Sequence, residues 1–119
     1  MLLAVTEETF EQEVLAAPQL VVVNFWAPWC GVCRWVDPIL VRLQSIAQDR
    51  VKCVTINADQ NFRLSNTYRL TTLPTLLIFD HGTVKQRVEG FQGRDALEAF
   101  LTQSLGLESF VTSIPSSSD

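Results

Sequence analysis

The stretch Leu20-Val-Val-Val-Asn24-Phe-Trp26-Ala-Pro-Trp29-Cys30-Gly-Val-Cys33-Arg34 decides how this chain folds. Its first half, residues 20–26, is almost continuously apolar and β-branched, the pattern of a strand covered on both faces. Ala27-Pro28-Trp29 is the turn that leaves the strand. From Cys30 the period changes. Val32, Val36, Ile39, Leu40, Leu43 and Ile46–Ala47 recur at three and four, which predicts a helix to about Gln48. Pro38 lies inside that helix and predicts a kink with a lost backbone bond. Residues 51–57 form the next β-branched run. Strand, helix and strand joined by short links make a βαβ unit, with parallel strands and a right-handed crossover.

Outward from this unit the elements are shorter. Residues 2–5 suit an edge strand. Thr6 can cap a helix whose first turn holds Glu7 and Glu8, with Phe10, Val14 and Leu15 on one face and Pro18 at the exit. Residues 61–68 can form a short helix. Residues 75–79 and 83–89 read as strands joined through Asp80-His81-Gly82, a hairpin signal. Residues 94–105 carry Leu97, Phe100, Leu101 and Leu105 on one face, and Gly106 can close that helix. The order βαβαβαββα describes an α/β domain over residues 1–107 with a mixed central sheet. Residues 108–119 read as a polar, loose tail.

The chain has 119 residues, 47% of them apolar and 18% charged. That suits one compact domain and excludes wholesale disorder. Nine basic and thirteen acidic side chains give a net charge of −4. The basic residues are scattered singly, which argues against nucleic acid as a partner. The apolar start, residues 1–5, is too short for a signal peptide and has no basic residue before it. No segment approaches the ~18 apolar residues of a spanning helix. The reading is a soluble, cytoplasmic chain without a membrane partner.

Three cysteines, Cys30, Cys33 and Cys53, are too few and too odd for a secreted disulfide framework. A pair two residues apart within a globular chain points to redox or metal chemistry. At a helix N-terminus the unsatisfied N–H groups and the dipole favour the thiolate, lowering a thiol pKa from ~8.5 into a range of about 3.5–7.5. Cys33 follows nearly one turn later, so the two sulfurs can meet. One can attack and the other can resolve a mixed disulfide. Gly31 permits close approach of an incoming backbone. The alternative is metal: zinc wants four ligands, for which Cys53 and His81 would have to converge on the pair. Two chains could also share their pairs around an iron–sulfur cluster, on spacing alone. Cys53 reads as a buried small hydrophobe and His81 as a solvated turn residue. Asp37 reads as an i,i+3 partner of Arg34 on the helix surface, and Asp59 as a loop or cap residue.

With Trp29-Cys30-Gly31-Val32-Cys33-Arg34 between a strand and a helix, Thr72-Leu73-Pro74-Thr75 before the hairpin, and Gly90 after it, the chain resembles thioredoxin over residues 4–105. The resemblance implies the thioredoxin fold: a mixed five-stranded sheet ordered 1-3-2-4-5, flanked by four helices, with a cis bond before Pro74. It implies a protein-disulfide reductase in which Cys30 is the exposed nucleophile and Cys33 the shielded resolving thiol. Trp29, Gly31, Val32, Leu73, Pro74, Gly90 and Phe91 would form an apolar rim for an extended peptide, held by strand addition before Pro74. No cofactor or metal is implied. The partners implied are disulfide-containing proteins and a thioredoxin reductase of the NADPH or ferredoxin type, acting on a monomer. Net oxidation or isomerisation, or a binding module with weak redox activity, are the rival readings.

Three departures from the family's pattern stand out. Val32 replaces the usual proline, which restores backbone freedom and an N–H, and by analogy makes the disulfide easier to reduce. Asn24 stands where the family carries a buried aspartate, and an amide cannot take a proton. Thr55 stands where the lysine paired with that aspartate would lie. Losing both is coherent, because either charge alone would be left buried and unpaired. The expectation is slow resolution of mixed disulfides near neutral pH, which Asn24→Asp would reverse. Trp35 is bulkier than the family's usual residue and would narrow partner choice.

Overall fold

The computed structural model describes residues 2–91 and 93–106. Five strands form one sheet: β1 (Leu3–Ala4), β2 (Leu20–Trp26), β3 (Val51–Asn57), β4 (Thr75–Asp80) and β5 (Thr83–Val88). Their order is β1-β3-β2-β4-β5. β3 runs parallel to both β1 and β2, whereas β2–β4 and β4–β5 are antiparallel. The sheet is therefore mixed, in the order the resemblance implied. The proposed loose tail, residues 108–119, lies outside the described residues.

Alternation along β2 sorts the core into two layers. Val22 faces one way, packing with Val36, Ile39, Leu40 and Leu43 of helix α1 (Val36–Ala47) and with Leu97 and Leu101 of α3 (Arg94–Leu105). Val21, Val23 and Phe25 face the other way, against Phe10, Val14 and Leu64 of α2 (Phe62–Thr67). The period of two thus puts Asn24, in step with Val22, on the α1 side. Its pairing partners are Thr55 on β3 and Leu76 on β4, so it sits mid-sheet and fully buried.

The helices follow the apolar periods, with two departures. The first helix is only Glu11–Leu15 and closes as a π-turn, with the Ala16 N–H bonded to the Glu11 carbonyl at 2.8 Å. Thr6 still caps the approach, its Oγ1 accepting the Glu8 N–H at 3.2 Å. The second departure is at the expected kink. Val32–Trp35 is a 3-10 segment, and α-helix begins only at Val36. Pro38 has no N–H to return toward Arg34, so the ladder lacks a bond where the helix type changes. The kink is thus a change of winding.

The hairpin turn is His81-Gly82, with φ of 51° and 82°. Two successive positive values belong to the type I′ turn that matches strand twist. Glycine is needed at 82 on a second count, since a Cβ there would stand 3.1 Å from the Leu15 carbonyl oxygen. Gly106, at φ 70°, closes α3 in the left-handed conformation.

Candidate active site

The turn that leaves β2 carries Cys30 and Cys33 to the N-terminal approach of α1. The Cys30 N–H bonds back to the Ala27 carbonyl at 3.0 Å, and the Cys33 N–H to the Cys30 carbonyl at 3.3 Å. These tight turns bring the Cα atoms within 5.5 Å, and the two sulfurs are joined as a disulfide. Spacing along the helical approach and closure of the bond therefore agree. Both cysteines open into a cavity of ≈ 290 Å³ walled by Trp26, Ala27 and Pro28 on the strand side. Arg34 and Asp37 complete it on the helix side. The expected contrast between an exposed Cys30 and a shielded Cys33 is slight in the disulfide form: 8% against 5% of each residue is accessible.

Trp29 is 69% exposed, and its indole Nε1–H donates to Asp59 Oδ2 at 2.9 Å. Asp59 is held in turn by a 3-10 turn after β3, where Asn57 Oδ1 accepts the Asp59 N–H. Trp29 shares a shallow groove with Phe62, Leu70 and Leu73, so the site joins two of the expected rim residues. The Leu73–Pro74 bond is cis. Pro74 itself is buried, and Thr75 Oγ1 ties the bend by donating to the Thr72 carbonyl at 2.7 Å. Arg87 of β5 fastens the same loop from outside, donating to the Tyr68 carbonyl at 2.6 Å and the Arg69 carbonyl at 2.8 Å.

Val32 is half-exposed, and Gly31 and Gly90 are open to solvent. A Cβ on Gly31 would meet nothing within 4 Å, so the space above it is free for another chain. Phe91 meets Trp35 edge-on, with centroids 5.7 Å apart, which spends part of its apolar surface inside the fold.

On the α1 side of β2, Asn24 Nδ2 donates to Asp37 Oδ1 at 3.0 Å. Asp37 was expected to face Arg34 along the helix; its carboxylate instead receives the buried amide of β2. Because a carboxylate only accepts, the NH₂ end of Asn24 must face it. Asn24 Oδ1 is buried and has no donor among the described residues. Thr55 Oγ1 reaches the Asn24 backbone carbonyl at 3.5 Å. Asn24 and Thr55 are thus direct neighbours across β2 and β3.

Cys53 is buried on the α1 face of β3. Burial pushes its thiol from 9.0 up to about 12. His81 projects from the hairpin turn, its ring 2.7 Å from Asp80. Among the described residues no three His, Cys, Asp or Glu side chains gather as metal ligands would.

The thioredoxin family model matches residues 1–103. This chain belongs to the thioredoxin family. It is 44% identical over 90 residues to "Thioredoxin 1" of Synechococcus elongatus, covering 76% of this chain and 81% of that protein. It is 38% identical over 101 residues to "Thioredoxin 1" of Nostoc sp., covering 85% and 94%. "Thioredoxin M-type, chloroplastic" of Chlamydomonas reinhardtii is 34% identical over 87 residues, covering 73% and 62%. With a Cys-x-x-Cys pair closed as a disulfide, membership makes this chain a thiol–disulfide oxidoreductase of the protein-disulfide reductase class, acting on disulfide-containing proteins. Sequence reasoning missed the Asn24–Asp37 bond and the Trp29–Asp59 tether.

Proposed function

We propose that Cys30 attacks the substrate disulfide and that Cys33 resolves the mixed disulfide, returning the pair to the oxidised form seen here. The observation that carries this is the placement of both sulfurs in one open cavity at the N-terminal approach of α1, where unsatisfied N–H groups favour a thiolate. Cys30 precedes the helical segment and is the more accessible of the two, which supports it as the nucleophile. Trp29, Gly31, Val32, Leu73, Pro74, Gly90 and Phe91 are the proposed substrate rim, with backbone pairing before Pro74 as its grip. Val32, Asn24, Thr55 and Pro74 tune the pair without touching substrate disulfides chemically.

A thioredoxin reductase, NADPH- or ferredoxin-dependent, would return electrons to the pair, and the chain would act as a cytoplasmic monomer. The sparse, odd cysteine set supports a reducing compartment. No described helix is long and apolar enough to cross a membrane. Incubation with oxidised extract proteins tests the roles: Cys33→Ser accumulates mixed disulfides through Cys30, and Cys30→Ser accumulates none and loses reductase activity. Equal trapping by both variants would overturn the assignment.

A further inference from the structure

The strand position where the family carries an aspartate holds Asn24, yet a carboxylate from helix α1 lines the cavity of the redox pair. Asp37 belongs to the first turn of α1 and lines the same cavity as Cys30 and Cys33. Cys33 lies four residues earlier, in the 3-10 segment that leads into α1, and both side chains border that one cavity. The carboxylate is held on the β2 side through Oδ1 by the fully buried Asn24 amide, and the residue is otherwise exposed. One oxygen is therefore anchored, while the side chain keeps a path to solvent.

We propose that Asp37 is the proton acceptor for Cys33 during resolution of the mixed disulfide, with Asn24 as its positioning residue. The inference rests on the resolving role proposed above for Cys33. Cys33 Sγ–H gives its proton to the Asp37 carboxylate, directly or across one solvent molecule in the cavity. The freed electron pair on Cys33 forms the bond to Cys30 Sγ. The Cys30–substrate bond breaks, and the departing substrate sulfur leaves as a thiolate and takes up a proton. The Cys30–Cys33 pair is oxidised and the substrate reduced, with no further redox agent. Asn24 thus serves by holding a carboxylate, having lost the ability to be one.

Among the described residues, the titratable and charged neighbours of Asp37 lie along its cavity and the outer face of α1. Arg34, Cys30 and Cys33 border it in the cavity. Arg42 borders it along the outer face of α1 and is 3.6 Å from Glu98 of α3. From the sheet, the side chain that bonds to it is the neutral Asn24, with neutral Thr55 beyond.

The test is the resolution rate across pH 6–9.5, followed by single-turnover reduction of a protein disulfide in the wild type and Asp37→Asn. The expected result is a fall of at least ten-fold at pH 7, a threshold set below the usual general base contribution of ~10²–10⁴-fold because the acceptor is solvent-exposed. The two proteins should converge near pH 9.5, above the ordinary thiol pKa of ~8.5, where Cys33 ionises unaided. A charge effect alone has the opposite sign, because removing a nearby anion favours the thiolate and speeds resolution. A rate at pH 7 that is unchanged or faster overturns the proposal, as does a loss equally large at both ends of the range. Cys33→Ser serves as the parallel arm: if it fails to trap mixed disulfides, the resolving role itself fails, whatever Asp37→Asn does.

Discussion

Val32 is the single side chain that separates this redox motif from the family's usual one. It is 50% exposed and opens the 3-10 segment, a position where its side chain supports no core. Its effect must therefore run through the backbone. A proline would narrow the conformations of the open dithiol, so closing the disulfide would cost less entropy and reducing it would be harder. Val32→Pro should shift the equilibrium with glutathione toward the disulfide and give a more reducing potential. An unchanged equilibrium would place the control elsewhere. Asn24 makes the complementary point at the same scale. Asn24→Asp in the wild type would set two carboxylates about 3 Å apart, which cannot both ionise readily. The expected gain in speed from that substitution therefore belongs to a protein in which position 37 is already neutral.

Among the elements, α3 and the hairpin were legible because their signals are local: a steady apolar period with a closing glycine, and two turn residues with positive φ. β2 was legible because apolar residues, three consecutive valines among them, fill it almost without a break. The π-turn at Glu11–Leu15 was not, since the same Phe10–Val14 spacing suits an ordinary helix; Phe10, just before it, packs against Tyr68 and Phe79. Strand parity and helix phase limit Asn24 and Asp37 to one face each. Which helical turn lies over which strand residue depends on crossing geometry, which no local pattern carries. The same limit hid Glu98, buried on α3 beside Arg42 of α1. It also hid the reach of Arg87 from β5 to the loop before Pro74. Cutting that reach has a defined effect on the loop. Arg87→Ala should speed amide exchange across residues 68–73 and raise KM for a protein disulfide, with alkylation of Cys30 by a small reagent unchanged. Unaltered exchange there would show that the loop holds its shape without the guanidinium.

At the scale of the whole molecule, the sheet divides two apolar layers, and Cys53 lies deep in the one shared with α1. Burial raises its thiol to about 12, whereas an unfolded chain would ionise it near 9.0. The sign follows: the contribution is intact below pH 9 and is lost as pH rises toward 12, because only the unfolded state releases the proton in between. Urea unfolding of the oxidised protein should therefore show a steeper fall in stability between pH 8 and 10.5 than Cys53→Ala does. The difference should be on the order of 1–2 kcal/mol, from ~1.4 kcal/mol per pH unit. Parallel slopes would mean that Cys53 ionises without unfolding. The overall architecture was readable from element order alone, because short links leave a βαβ unit little choice of topology.

The path from β2 through the turn into α1 is continuous in sequence. Asn24, Cys30, Cys33 and Asp37 therefore all lie within one uninterrupted stretch, residues 24–37, with the rest of the domain serving as its mount. Chemistry built this way is modular. A lineage can exchange one acid–thiol arrangement for another by altering a single short segment, while the distant cis-proline loop and its clamp stay as they are. Residues 24–37 form a natural unit of transplantation between members of this fold.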